Sequence, residues 1–150
     1  MRTIVLVISL AMFLVCTCMA ETFQGVDFSI IKKTNQANIK GSIEVRLNEK
    51  VPKDLLQKLA LKLKNDDPQK YDRLFITYYL PGMTSGAGAW ATSHFNPGLE
   101  VKILGTTIEE EKELKKQTAS SSDKVIGEWL DESPYVGAKY TLLKKGNGEM

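Results

Sequence analysis

Thiols and imidazoles are almost absent from this chain, which has two cysteines and one histidine in 150 residues. Both cysteines, Cys16 and Cys18, fall within the first twenty residues. Those twenty have the order of a secretory signal: Arg2, an apolar run over residues 4–15, then small residues ending at Ala20 before polar Glu21. Cleavage after Ala20 is expected to leave a mature chain with no thiol, hence no disulfide, no thiolate metal ligand and no cysteine nucleophile. A lone histidine, His94, leaves a transition-metal centre short of ligands. Neither a metal nor a cofactor is expected.

Long hydrophobic runs are missing too. The run over residues 4–15 is shorter than the ~20 residues a bilayer span takes, which argues against a permanent transmembrane segment. The expected destination is therefore the periplasm or the medium. Lipid attachment at Cys18 is the alternative, because residues 15–18 loosely resemble a lipoprotein box, with Thr17 where a smaller residue is usual. Charge of one sign is equally lacking: the formal net charge is +2, Arg2 leaves with the signal, and lysines are interspersed with acids. No basic stripe exists to bind nucleic acid.

What remains is one domain's worth of chain. Residues 21–40 have no sustained period and read as a mobile lead-in with one short strand at 26–31. Ile43, Val45 and Leu47 then alternate with Glu44 and Arg46 as a half-buried strand. Pro52 stands where a helix starts, and Leu55, Leu56, Leu59, Ala60 and Leu63 follow at helical spacing up to a stop at residues 65–68. Residues 73–80 carry apolar or aromatic side chains on both faces, which predicts a central strand covered on each side. Residues 90–95 and 99–104 form a hairpin around Asn96, Pro97 and Gly98.

The expected fold is α+β over residues 41–105: a small, mostly antiparallel sheet with one packed amphipathic helix. Thr107 and Glu110 form a capping box for a second, solvated helix to about Gln117, with a favourable Glu111–Lys115 pair, and a Ser-rich linker ends the stretch at residue 123. Residues 124–150 read as a β-hairpin unit: a strand from 125, a turn at 131–134, a strand at 135–143 and a turn at 145–148. A turn so near Met150 has no returning strand, so this unit is expected to be incomplete, to join the first sheet, or to pair with another chain through residues 135–150.

Functional texture is confined to residues 81–95. Gly82, Gly86 and Gly88 let backbone amides of the loop converge, as anion cradles do, and Ser85 lies among them. The loop runs into a strand and has no Walker lysine, so it is not a nucleotide fingerprint. It reads as a flexible connection or as a ligand-contacting lid. On an extended strand His94 shares a face with Trp90 and Thr92 and points away from Ser93. Catalysis would need Ser85, Asp72, Glu100 or Asp131 to approach His94 in three dimensions. Tyr78, Tyr79, Trp90, Phe95, Trp129 and Tyr135 suit a core better than a carbohydrate platform.

The blocks at residues 78–83, 86–97 and 99–105, with those at 126–131 and 134–137, resemble a group of uncharacterised bacterial exported proteins. That resemblance implies an exported α+β protein and assigns no activity and no residue roles. Two functions stand open. One is a non-catalytic protein of the periplasm or cell envelope that binds a small ligand or an envelope protein, with Gly82, Ser85, Gly86, Gly88, Trp90 and His94 as contact residues. The other is a small secreted hydrolase using His94 with Ser85 or a carboxylate.

Overall fold

The computed structural model describes residues 20–37, 39–116, 124–133 and 136–144. The signal segment, the Ser-rich linker, Tyr135 and the turn at 145–148 lie outside them, apart from Ala20. In chain order the elements are β1 (Ala20–Phe23), β2 (Val26–Gln36), β3 (Lys40–Leu47), α1 (Lys53–Asp66), β4 (Arg73–Tyr79), β5 (Ala91–Phe95), β6 (Leu99–Ile103), α2 (Ile108–Lys116), β7 (Lys124–Ser133) and β8 (Val136–Lys144). The fold is α+β. Strands β1 to β6 form one sheet in sequence order, antiparallel except where the α1 crossover makes β3 and β4 parallel. Strands β7 and β8 form a separate antiparallel sheet.

The crossover explains the core. Period-two alternation in β3 sends Ile43, Val45 and Leu47 to one face, and β4 sends Leu74, Ile76 and Tyr78 to the same side. Helix α1 lays Leu56, Leu59, Ala60 and Leu63 against that side, all of them buried. Its first turn opens without a side-chain cap, since Pro52 takes the N-cap position in an extended conformation. Buried Tyr78 and Ser93 satisfy each other across the sheet at 3.0 Å, and burial pushes the Tyr78 hydroxyl well above the usual phenol range.

Three expectations are corrected. The lead-in is not mobile chain: β1 and β2 make a hairpin whose turn residues, Gln24 and Gly25, both take positive φ, as a primed two-residue turn requires. A bulge between Ile30 and Lys32 shifts the register of β2 and breaks the simple alternation that would have marked a long strand. Second, β4 is covered on both sides only at its end, where Tyr79 is buried under the glycine loop; the single packed helix serves the other face and leaves Phe75 and Thr77 half-buried. Third, β7 runs on to Ser133 where a turn at 131–134 is expected. The second helix begins at its capping box as expected, the Thr107 amide donating to Glu110 at 2.8 Å and the Glu110 amide to the Thr107 hydroxyl at 3.1 Å, and it buries no residue.

Candidate functional site

The face of the sheet turned away from α1 is where side-chain chemistry collects. Register places Phe75 opposite His94 and Thr77 opposite Thr92; on the next strand it places Glu100 opposite His94 and Lys102 opposite Thr92. Directly paired residues share a face, so these six side chains make one patch. They line a concavity of about 200 Å³ floored by Ile76 and Ser93.

The Phe75 and His94 rings stack at 4.1 Å between centroids, 15° from parallel. The Lys40 ammonium lies 4.9 Å from the Phe75 centroid. At the rim Lys102 and Glu100 pair at 2.9 Å, and the Lys102 hydrogen bond and charge hold the Glu100 carboxyl below the usual carboxylate range. Two atoms stand out within the patch. Thr77 Oγ1 and His94 Nε2 are both buried, and among the described residues neither has a hydrogen-bond partner. A buried polar atom left unsatisfied costs about 1–3 kcal/mol, and nearly all such atoms in native proteins are paired. Both atoms belong to residues that line the same concavity.

A larger groove of about 450 Å³ runs between Asn48, Lys50, Pro81, Ile108 and Glu111. Two of its charged groups, Lys50 and Glu111, are already engaged with each other at 2.8 Å. The sheet-face concavity is therefore the stronger candidate.

The glycine loop lies elsewhere on the same face and is tied down. Leu80 to Met83 is a turn closed by the Met83 amide on the Leu80 carbonyl at 3.1 Å, with Pro81 and Gly82 (φ 82°) at its centre. A second turn is closed by the Ala87 amide on Thr84 at 3.2 Å, with Gly86 at φ 84°. Both have the pattern of a type II turn, where glycine supplies the positive φ of the third residue. Arg46 donates to the Leu80 and Met83 carbonyls at 2.9 and 3.0 Å, the Gly86 amide donates to the Tyr79 hydroxyl at 3.0 Å, and Ser85 donates to Glu44. With the Met83, Gly86 and Ala87 amides engaged within the protein, none of these three is presented to an anion.

The structure thus separates the residues singled out in the sequence. His94 lies in the concavity. Gly82, Ser85, Gly86 and Gly88 are not among its lining residues. Ser85 is held by Glu44 on β3, and β4 intervenes between that strand and the one bearing His94. Trp90 does not share the His94 face: it is buried in the core at 1% exposure, and its Nε1 donates to the Thr106 carbonyl at 3.0 Å. The alternation breaks there because regular strand begins only at Ala91, which frees the large ring to turn inward. No hydrogen bond or ion pair among the described residues joins His94 to Ser85, Asp72, Glu100 or Asp131. Phe75, Thr77, Thr92 and Lys102 carried no sequence motif. The Glu100–His94 pairing was accessible, because a hairpin closed around residues 96–98 sets those two opposite one another.

No group of three or more potential metal ligands occurs among the described residues, and no helix among them is long and apolar enough to cross a membrane. The chain matches no family model, and no curated protein or solved structure is significantly similar to it.

Proposed function

We propose that this chain is an exported, non-catalytic binding protein of the bacterial periplasm or envelope, and that its ligand seats on the open face of β4, β5 and β6. Export is supported by the ordered basic, apolar and small-residue regions ahead of Glu21 and by the resemblance to exported bacterial proteins. Binding is supported above all by one observation: Thr77 Oγ1 and His94 Nε2 are buried without hydrogen-bond partners, and both residues line one concavity. Hydrolysis draws less support. Strands lie ~4.8 Å apart, so Ser85, fastened over β3, is about two strand spacings from the imidazole on β5.

Thr77→Val tests the site. It removes the hydroxyl while keeping the branched shape, so the variant is expected to melt at or above the wild-type temperature, since an unsatisfied donor has been deleted. In a melting-shift screen of small polar molecules, a shift seen with wild type should vanish in the variant. A variant that melts several degrees lower would give Thr77 a structural role and overturn the reading. Intact-mass measurement of protein recovered from periplasm or medium tests export, with Glu21 expected as the first residue.

A further inference from the structure

The geometry points to a small oxyanion, a carboxylate or a phosphate group, as the ligand of the open-face concavity; this deepens the binding reading above and rests on it. The two unpartnered groups have matching chemistry. A threonine hydroxyl donates one hydrogen bond, and a histidine Nε2 donates one in its Nε2–H tautomer and in the imidazolium. Both residues line the same 200 Å³ concavity, which suits a ligand of a few heavy atoms, with the two polar atoms covered beneath its surface.

The charge around them favours an anion. On the open face of β3 to β6 the alternation places Lys40, Arg46, Arg73 and Lys102 against only Glu44 and Glu100. Glu44 is held by the Ser85 hydroxyl, Glu100 by Lys102 and Arg46 by the Leu80 and Met83 carbonyls, which leaves Lys40 and Arg73 as the excess positive charge of this face. Two of the cations flank the site directly: Lys102 at its rim, and Lys40 over the ring of Phe75 that stacks on His94. An arriving oxyanion would meet the Lys102 ammonium at the edge, drawing Lys102 away from Glu100, and would reach the buried Thr77 hydroxyl and His94 Nε2–H once the side chains that cover them shift aside. Charge-assisted donors are stronger than neutral ones, and a rim ammonium adds attraction that salt screens. A neutral amide of the same shape would lose that attraction and would place its NH2 group against donors.

His94 is the sole histidine of the chain, so its imidazole proton resonances report on the site without assignment ambiguity. Acetate, phosphate, acetamide and methylammonium are titrated separately into the intact protein at constant ionic strength, with the His94 resonances followed by NMR. Saturable shifts are expected with acetate or phosphate, with midpoints on the order of millimolar for so small a ligand. The tighter of the two identifies the headgroup. Thr77→Val should abolish saturation, and Lys102→Met should weaken it about two- to fivefold, the size of a solvent-exposed charge contribution. Thermal melts confirm that both variants are folded. Saturation by acetamide with the midpoint of acetate, or by methylammonium alone, overturns the oxyanion assignment and leaves the binding site standing. If none of the four probes gives a saturable shift, the binding reading itself falls.

Discussion

At the scale of single residues, two glycine positions do different work. Gly41 is there because of what lies over it: a Cβ built at this position would sit 2.8 Å from carbons of the Tyr71 ring. Gly41→Ala is therefore expected to destabilise by about 1–3 kcal/mol through overpacking, and Tyr71→Leu added to it should recover part of the loss in a denaturant titration. Gly86 has nothing within 4 Å of its would-be Cβ, yet its φ is 84°. Its requirement is purely conformational, so Gly86→Val should cost about 1–2 kcal/mol without creating any clash. An unchanged melting temperature would mean that the loop relaxes freely and that the tethers from Arg46, Tyr79 and Glu44 are weak. The expectation of a flexible connection gives way at these residues, because the sequence shows the three glycines but not the partners that fasten them. Thr77 was equally silent, since a threonine on a strand is ordinary and becomes informative only when its hydroxyl is found buried and alone.

At the scale of elements, what could be read in the sequence depended on whether a local signal sets the geometry. The leucine stripe of α1 reads directly because a 3.6-residue period points one face at the sheet. Leu59, 2% exposed, is expected to cost about 2–5 kcal/mol when replaced by alanine, whereas exposed Lys58→Ala should cost little. Equal effects in chemical denaturation would mean that α1 is not packed as described. The β5–β6 hairpin reads for the same kind of reason, its register following from the short turn at 96–98, and with it comes the meeting of His94 and Glu100. The β4–β5 register is different. A loop of eleven residues separates the two strands, so no turn chemistry announces that Phe75 will stack on His94 or that Thr77 will lie opposite Thr92. Half of the candidate site is thus a product of long-range pairing. The β1–β2 hairpin carries little local signal, because its turn is Gln24-Gly25 and not Asn-Gly, and because the outer half of β2 is polar on both faces.

At the scale of the whole molecule, an ion pair helps to fasten α2 to the main sheet. The helix buries none of its own residues. What fastens its entry is Lys50, which reaches from the segment before α1 to the Thr106 hydroxyl and to Glu111, each at 2.8 Å, with its side chain only 10% exposed. The Trp90 indole on the Thr106 carbonyl adds a second tie from the core. Glu111 also accepts from Lys115, and the hydrogen bonds from Lys115 and Lys50 hold its carboxyl below the usual carboxylate range against the opposing effect of burial. A carboxyl whose folded pKa is depressed contributes stability above its unfolded pKa, ~4.3 for glutamate, and that contribution is lost as pH falls through the lower folded value. Glu111→Gln is accordingly expected to cost about 1 kcal/mol at pH 7, where the carboxylate is ionised in both states. The difference from wild type should shrink once the pH drops below about 4 and disappear where Glu111 is protonated in the folded protein. Amide hydrogen exchange at the two pH extremes resolves where the loss falls. Because the ion pair fastens α2 and not the leucine core beneath the sheet, exchange in α2 should quicken in the variant at neutral pH while β3 and β4 keep their protection. Uniform acceleration across all strands would show instead that Lys50 and Glu111 support the whole fold, and a stability difference that persists at low pH would show that the glutamine disturbs packing rather than removing a charge.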